Sequence, residues 1–458
     1  MRIMRVGICI AVLALTAAAG ALAQGSSYVL QAAKWDASKT AAVAQAGGTV
    51  VFGHGPSGLG VATSSDPNFL SKALASKAFQ DVTQDVVVSW QPPTFVQEAI
   101  TPGDETFINL QWNMQALEAP AAWAAGCTGQ GVRVAVIDGG IWNTHVDLAA
   151  NMDNACSVSF VPGFNFNQDV GTFWHATHVA GIIAAADNSI GVIGVAPKAT
   201  IIGVKSLHNG SGSFGAVIGG ILYAADPAAF GMTACQRADI INMSLGAVFD
   251  RKDANGGGFG GGQSLIGALG KAVNFANGHG VLVVSAAGNN AIDFGQAKNL
   301  VDTPGDSGGG LAVSATGPVG FALGATNFRR PASYSNYGEG FVSLAGPGGD
   351  AVLPGSAICS IPRVPSGSVT SFCWVFDLVL SSSRGSGAST TSYAFAAGTS
   401  MATPAVAGVA ALIKQRFPWM GPGQLKTFLA QTADDEGKTG HDEFYGAGFV
   451  NARRACTQ

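Results

Sequence analysis

Three short segments of this 458-residue chain carry side chains of complementary chemistry. They are Val134-Ala135-Val136-Ile137-Asp138-Gly139-Gly140, His175-Ala176-Thr177-His178-Val179-Ala180-Gly181 and Gly398-Thr399-Ser400-Met401-Ala402-Thr403-Pro404. Asp138 closes a largely apolar run, His175 stands just ahead of a helix-like stretch, and Ser400 opens a long apolar one. A hydroxyl is a poor nucleophile at neutral pH until a positioned base takes its proton, and the base needs an anion to orient it. Carboxylate, imidazole and hydroxyl together therefore point to nucleophilic attack on an acyl carbon. Each segment alone has a plainer explanation: an Asp-Gly turn, a capping or surface histidine, a helix N-cap serine. Three extended segments in this order outweigh those readings.

Positioning such groups requires a scaffold, and the pattern supplies one. Apolar runs at Val132–Asp138, Thr200–Lys205, Asp239–Met243, Val281–Ser285 and Leu311–Ala315 read as strands. Helix-length segments at Thr177–Ala186, Phe214–Ala225 and Leu265–Asn277 lie between them. Uniformly apolar strands alternating with helices imply an α/β fold, a parallel sheet covered on both faces in three layers. Ligand sites in such sheets form at the carboxyl ends of strands, where Asp138 and Ala286-Ala287-Gly288-Asn289 fall. Met401–Arg416 is apolar nearly all round and reads as a buried helix, whose N-terminal amides and dipole would favour negative charge beside Ser400. Ahead of all this, Ala41–Gln45 and Asn68–Phe79 read as helices. Thr49–Phe52 and Val82–Trp90 read as strands, so this stretch is a small split-βαβ (ferredoxin-like) unit. Gln91-Pro92-Pro93 and Thr101-Pro102-Gly103-Asp104 then read as an exposed linker.

Composition narrows the class. With 47% apolar and 11% charged residues and a net charge of −4, the chain can bury a large core, and it shows no basic stripe. No nucleic acid and no anionic membrane surface is expected as a partner. Arg2 and Arg5, the apolar run to Ala19 and Ala21-Leu22-Ala23 have the layout of a secretory signal peptide, residues 1–23, so a secreted, extracellular or periplasmic, protein is expected. Its removal discards Cys9 and leaves six cysteines, an even set that favours disulfides. Cys359 pairs best with Cys373, since both lie in one Pro/Ser/Gly-rich insertion. The connectivity of Cys127, Cys156, Cys235 and Cys456 stays open.

From Gln111 onward the chain resembles the catalytic domain of the subtilisin-like serine proteases, the subtilase family. The likeness rests on Ile137-Asp138-Gly139-Gly140-Ile141, His145-Val146-Asp147-Leu148, the His175–Gly181 run and Asn188-Ser189-Ile190-Gly191-Val192. It continues through Gly194-Val195-Ala196-Pro197, Ile241-Asn242-Met243-Ser244-Leu245-Gly246, Ala287-Gly288-Asn289, Gly398–Pro404 and Tyr445-Gly446-Ala447-Gly448. The resemblance implies a serine endopeptidase with Ser400 as nucleophile, His175 as general base and then acid, Asp138 as its orienting anion and Asn289 as oxyanion donor. Ala176 stands where the family usually has Gly, and Thr403 and Ala405 where it usually has Ser and His.

The resemblance extends to binding. Ser244-Leu245-Gly246 and Gly210-Ser211-Gly212 would pair with an extended polypeptide substrate, with Ala287 and Gly288 beside the scissile bond. Phe214 lines an outer pocket or belongs to its helix core. The first pocket is bounded by Ala286, Ala287 and Asn290; whether Asp293, Asp302 and Asp306 in the following loop make it acidic stays open. A structural Ca2+ is implied at Asp147, Ala186, Asn188, Ile190 and Val192, oxygen donors suited to a hard cation, although the family's N-terminal Gln ligand has no clear match. Residues 24–103 resemble the subtilase propeptide and its linker, an intramolecular inhibitor cut away between Trp90 and Phe107, leaving 104–458 as a catalytic domain expected to be monomeric. Asp226–Gln236, Gly256–Gly262 and Val352–Ser392 read as surface insertions. The rivals are a peptide-binding pseudoprotease and a maturation protease or peptide ligase with one target.

Overall fold

The computed structural model describes residues 25–90, 95–100, 106–251, 262–385 and 391–458. The leader at 1–23 and the glycine tract at 256–261 lie outside them. The chain opens with β1 (Ser26–Gln31), α1 (Ala37–Gln45), β2 (Thr49–His54), β3 (Leu59–Ser64), α2 (Phe69–Ala75) and β4 (Asp81–Gln84). These strands form a sheet in the order β2-β3-β1-β4, antiparallel throughout. That is the split-βαβ topology the alternation suggested.

Two expectations for this region are corrected. The β-branched run Val82–Trp90 is not one strand: it breaks at Asp85, and β5 (Val87–Ser89) leaves the small sheet. The expected linker breaks at 91–93 and 101–104 lie outside the described residues, and β6 (Phe95–Ile100) is a strand between them. Helix α2 is shorter than expected, since Lys77 turns the chain with a φ of 56°.

The larger unit follows with α3 (Trp112–Ala116), α4 (Ala119–Ala124), β7 (Arg133–Asp138), β8 (Val158–Ser159), α5 (His175–Ala184), β9 (Thr200–Lys205), β10 (Ser211–Ser213) and α6 (Phe214–Ala225). Then come β11 (Ile240–Met243), β12 (Ala247–Asp250), α7 (Gly262–Gly278), β13 (Leu282–Ala286), β14 (Leu300–Thr303), β15 (Leu311–Thr316) and β16 (Leu344–Pro347). The chain ends through β17 (Ile358–Pro362), β18 (Ser368–Phe372), β19 (Val379–Ser383), β20 (Ser392–Ala397), α8 (Thr399–Arg416), α9 (Pro422–Thr432) and α10 (Ala452–Thr457).

Seven strands make the central sheet in the order β16-β15-β13-β11-β7-β9-β8, parallel throughout. Successive side chains of a strand face opposite ways, and β7 shows the consequence. Val134 and Val136 join the core shared with α5 and α8, while Ala135 and Ile137 join the core shared with α6 and α7. With both faces covered, the inner strand positions are mostly apolar whichever way they face, so the strands show no alternation in sequence. From β7 the chain crosses to β9 on one side and later returns to β11 on the other. The carboxyl end of β7 is therefore a switch point, where a crevice opens, and Asp138 ends that strand.

The last insertion differs from its expected form. It contains the hairpin of β17 and β18, but β19 is wholly buried and pairs with β20. Val379 and Leu380 enter the main core, and Ser381 Oγ donates to the His178 carbonyl at 2.8 Å. The apolar Val379-Leu380 pair and this bond to α5 make the segment interior.

Cys359–Cys373 clips the hairpin as expected, and the other two pairs are Cys127–Cys456 and Cys156–Cys235. Cys127–Cys456 joins residues 329 positions apart and ties α10 to the turn after α4. Replacing both cysteines by Ser is expected to cost about 2–5 kcal/mol, read as a lowered urea midpoint against the unaltered protein.

Candidate active site

Asp138 is buried at the end of β7, and its position depends on the two glycines after it. A Cβ on Gly139 would meet Asp169 Oδ2 at 2.3 Å, and one on Gly140 would meet the Gln168 carbonyl at 2.3 Å. Only glycine lets the loop carrying Asp169 close over this turn. Asp138 Oδ1 accepts from Gly139 N at 2.6 Å. Both carboxylate oxygens face His175 Nδ1, at 3.0 and 2.9 Å.

His175 is the first residue of α5, two residues earlier than the helix start read from sequence. Donation from Nδ1 to Asp138 puts the proton on that nitrogen and leaves Nε2 as the base. Nε2 is buried and has no hydrogen-bond partner among the described residues. Burial, the largest single influence, pushes the imidazole down. The charge and hydrogen bond of Asp138, with the charge of Asp169, outweigh it and leave the pKa above the ordinary 6.5. His178 is the contrasting case in the same segment. Its Nε2 donates to the Ala394 carbonyl at 2.9 Å, and burial pushes it down to about 3, so it is a neutral strut between α5 and β20.

Ser400 is the second residue of α8, which is buried from Thr399 to Lys414. Its seat depends on Pro404. Lacking an N–H, Pro404 cannot donate to the carbonyl four residues back, which is that of Ser400. Ser244 Oγ supplies the missing bond, at 2.8 Å. In return Ser400 Oγ donates to the Ser244 carbonyl at 3.1 Å, and Asn242 Nδ2 holds Ser244 Oγ at 3.0 Å. The hydroxyl thus rests on Ser244 rather than on the imidazole.

Asn289 reaches the same turn. Its Oδ1 accepts from Thr399 N at 2.9 Å and Thr399 Oγ1 at 2.8 Å, which fixes Nδ2 as the donor end. Thr399 Oγ1 also accepts from Gly288 N at 3.1 Å. Asn336, fully buried, clasps this loop: Oδ1 accepts from Asn290 N and Ile292 N, each at 3.0 Å, and Nδ2 donates to the Ala287 carbonyl at 2.8 Å. Sequence reading missed Thr399, Asn336 and Asp169. Thr399 sits inside a recognised segment, whereas Asn336 and Asp169 carry no local signal.

The expected substrate segments flank this turn. Ser211 and Gly212 lie on β10, with Gly210 just before it, and β10 pairs antiparallel with β5, Gly212 opposite Val88. Trp90 continues that pairing, N donating to the Gly210 carbonyl and Nε1 to the Gly212 carbonyl, both at 3.0 Å. Phe214 is fully buried and packs edge-on against Trp90 at 5.3 Å, so it is both helix core and a wall for that ring. Beyond the site β6 pairs with β20, Phe95 opposite Ala397. Residues 87–90 thus lie along the 210–213 segment and Phe95 lies opposite Ala397, three residues before Ser400, while 91–94 lie outside the described residues.

The expected calcium ligands also gather in one place. Asp147 is buried; its Oδ2 accepts from Val192 N at 3.0 Å, and its backbone carbonyl accepts from Ala186 N at 2.7 Å. Asn188 Oδ1 accepts from Ile190 N at 3.0 Å. Asp147 Oδ1 has no hydrogen-bond partner, as a ligand oxygen would, and the neighbouring Asn188 oxygen and loop carbonyls suit a hard cation. Burial pushes this carboxyl up to about 6, against the opposing bond from Val192. Gln111, unassigned from sequence, closes the loop by bonding both Ile193 N and the Ile193 carbonyl.

Comparison with known proteins decides the family. The subtilase family model matches residues 129–448. The chain belongs to the subtilase family. Over 349 residues this subtilase is 37% identical to M-protease of Shouchella clausii, covering 76% of the chain and 70% of the relative. It is 36% identical over 349 residues to subtilisin Savinase of Lederbergia lenta, covering 76% and 98%. The epidermin leader peptide processing serine protease of Staphylococcus aureus shares the fold, with a TM-score of 0.69 over 95% of this chain and 99% of that one at 19% identity. This subtilase is a serine-type endopeptidase acting on polypeptides. No helix among its described residues is long and apolar enough to cross a membrane.

The raised imidazole sets a pH dependence. Only the neutral ring accepts a proton at Nε2, so kcat/KM is expected to be lost at low pH and to rise through a midpoint above 6.5. In Asp138→Asn the midpoint should fall and kcat should drop about 10⁴-fold, both read from a pH–rate profile.

Proposed function

We propose that this subtilase is a secreted, self-processing endopeptidase that cleaves through Asp138, His175 and Ser400 with Asn289 as oxyanion donor. The observation that carries the reading is the bond from His175 Nδ1 to Asp138, which leaves Nε2 without a partner. The Ser400 hydroxyl turns from the Ser244 carbonyl to Nε2, gives up its proton there, and Oγ bonds to the scissile carbonyl carbon. Asp138 stabilises the imidazolium. The carbonyl oxygen, now negative, is held by Asn289 Nδ2 and the N-terminus of α8. When the C–N bond breaks, the leaving amine takes the proton from Nε2, leaving an ester on Ser400. Water, deprotonated by the same nitrogen, hydrolyses that ester and returns the hydroxyl.

Residues 24–103 act in this reading as propeptide and linker, following a signal peptide at 1–23. Support comes from where the small unit sits. Asp85 Oδ1 accepts from Gly215 N near the start of α6 at 3.1 Å. Gln31 and Ala32 bond to Ser264 and Lys271 of α7, at 3.1 and 2.8 Å. β5 occupies β10, where a substrate strand would lie, so this segment competes with substrate until the chain is cut between Trp90 and Phe107. A structural Ca2+ held by Asp147, Asn188 and the carbonyls of Ala186, Ile190 and Val192 completes the reading; it would brace the loop after α5 and supply no chemistry.

Ser400→Ala is expected to accumulate uncut at the linker and to resist labelling by a fluorophosphonate probe, whereas the unaltered chain labels and begins between 91 and 107 by N-terminal sequencing. Processing of the variant at a normal rate would refute the reading. Asn289→Ala should lower kcat about 10²–10³-fold with little change in KM. Chelation of calcium should lower the Tm of the unaltered protein and leave that of Asp147→Asn unmoved; equal shifts would remove the ion from the account.

A further inference from the structure

Asp302, on β14, is a fully buried carboxylate without a counter-charge among the described residues. Oδ1 accepts one long bond, from Gly305 N at 3.3 Å, and Oδ2 has no hydrogen-bond partner among the described residues. A lone buried carboxylate of this kind is costly unless a cation meets it. The nearby Arg251 pairs instead with Asp306, at 3.2 Å.

Its surroundings show where a cation would enter. A Cβ on Gly288 would stand 3.3 Å from Asp302 Oδ2, and one on Gly246 would stand 3.4 Å from it. These glycines belong to the two segments that clasp the nucleophile turn. Ser244, two residues before Gly246, exchanges hydrogen bonds with Ser400, and Gly288 N donates to Thr399 Oγ1. The pairing of β12 with β14 sets Asp302 opposite Val248, directly beneath the Ser244–Gly246 segment. The two segments thus stand against Asp302 Oδ2 beside the Ser400 turn. The Gly288 side is filled by Asn336 Nδ2, 2.4 Å from that Cβ, so the slot is the approach to Oδ2 past Gly246. Burial, the largest influence, raises the Asp302 carboxyl well above the usual range, and Asp306 adds to the effect. A cation brought to Oδ2 would act in the opposite sense, favouring the charged carboxylate.

We propose that Asp302 makes this protease select arginine or lysine immediately before the scissile bond. The inference rests on the catalytic reading above, because the slot receives that side chain only if Ser400 attacks the adjoining carbonyl. A guanidinium or ammonium group reaching Oδ2 supplies the missing partner, whereas a Leu or Phe side chain buries apolar surface against a carboxyl and leaves it unpaired. Loss of one partner from a buried ion pair is strongly unfavourable.

The test uses protein expressed as the full chain and allowed to process, with peptides differing only at the residue before the scissile bond. Arg and Lys peptides are expected to exceed Leu and Phe peptides in kcat/KM by at least about tenfold, with benzamidine a competitive inhibitor. Asp302→Asn should shift the Arg-to-Leu ratio toward Leu by about 10²-fold and abolish inhibition by benzamidine. Asp302→Gly, which removes the side chain, should do the same, and Asp306→Asn should move the ratio less than about threefold if the buried carboxylate is the determinant. Preference of the unaltered enzyme for Leu or Phe, or an unchanged ratio in both Asp302 variants, would overturn the proposal. Absence of fluorophosphonate labelling would instead overturn the catalytic reading. Calorimetric titration of benzamidine then still decides the slot: binding lost in the Asp302 variants upholds it, and no binding to the unaltered protein overturns it.

Discussion

The site depends on one missing hydrogen bond inside a helix. Pro404 has no N–H to offer the Ser400 carbonyl, and the group that replaces it, Ser244 Oγ, comes from the loop after β11. Without that proline the Ser400 carbonyl would accept from the amide four residues on and need no neighbour. Here the first turn of α8 is joined to one loop through Ser244 and to another through Thr399 and Asn289. Both loops leave carboxyl ends of the parallel sheet, so Ser400, Asn289 and the Ser244 segment are held by the same few bonds. Preorganised donors of this kind are effective because they need no rearrangement as charge develops.

The seat would be useless if the helix shifted. Val406, Val409, Leu412 and Ile413 of α8 are buried in the core shared with α5, each contributing about 1.5–3 kcal/mol by burial. That core spans β7 and α5 as well, so Asp138, His175 and Ser400 are fixed by one packed body. The glycines at 139 and 140 let the Asp169 loop approach Asp138, which adds a second negative charge near the imidazole without competing for Nδ1.

Much of this was legible in the chain. The triad segments stand at element ends, and two-faced burial makes the sheet strands plain apolar runs. Cys359–Cys373 followed from closeness in sequence. What escaped depended on long-range pairing. Nothing local places Asn336 over the 287–292 loop, or Gln111 against Ile193. Asp302 could not be told from Asp293 and Asp306 until β12 and β14 were seen to pair. The Pro-rich linker hid β6, because its partner strand lies some 300 residues away, opposite Tyr393–Ala397. The wide separations in Cys127–Cys456 and Cys156–Cys235 follow the same rule: contacts made by the folded sheet leave no mark in spacing.

The account stands on the convergence of Asn289, Ser400 and His175 on a single reacting carbon. A crystal structure of the protein phosphonylated at its active serine tests this most directly. The account requires phosphorus on Ser400 Oγ, one phosphonyl oxygen within hydrogen-bond distance of Asn289 Nδ2, and His175 Nε2 facing the leaving side with Nδ1 still on Asp138. A phosphonyl oxygen directed away from Asn289, or an imidazole separated from Asp138, would contradict it.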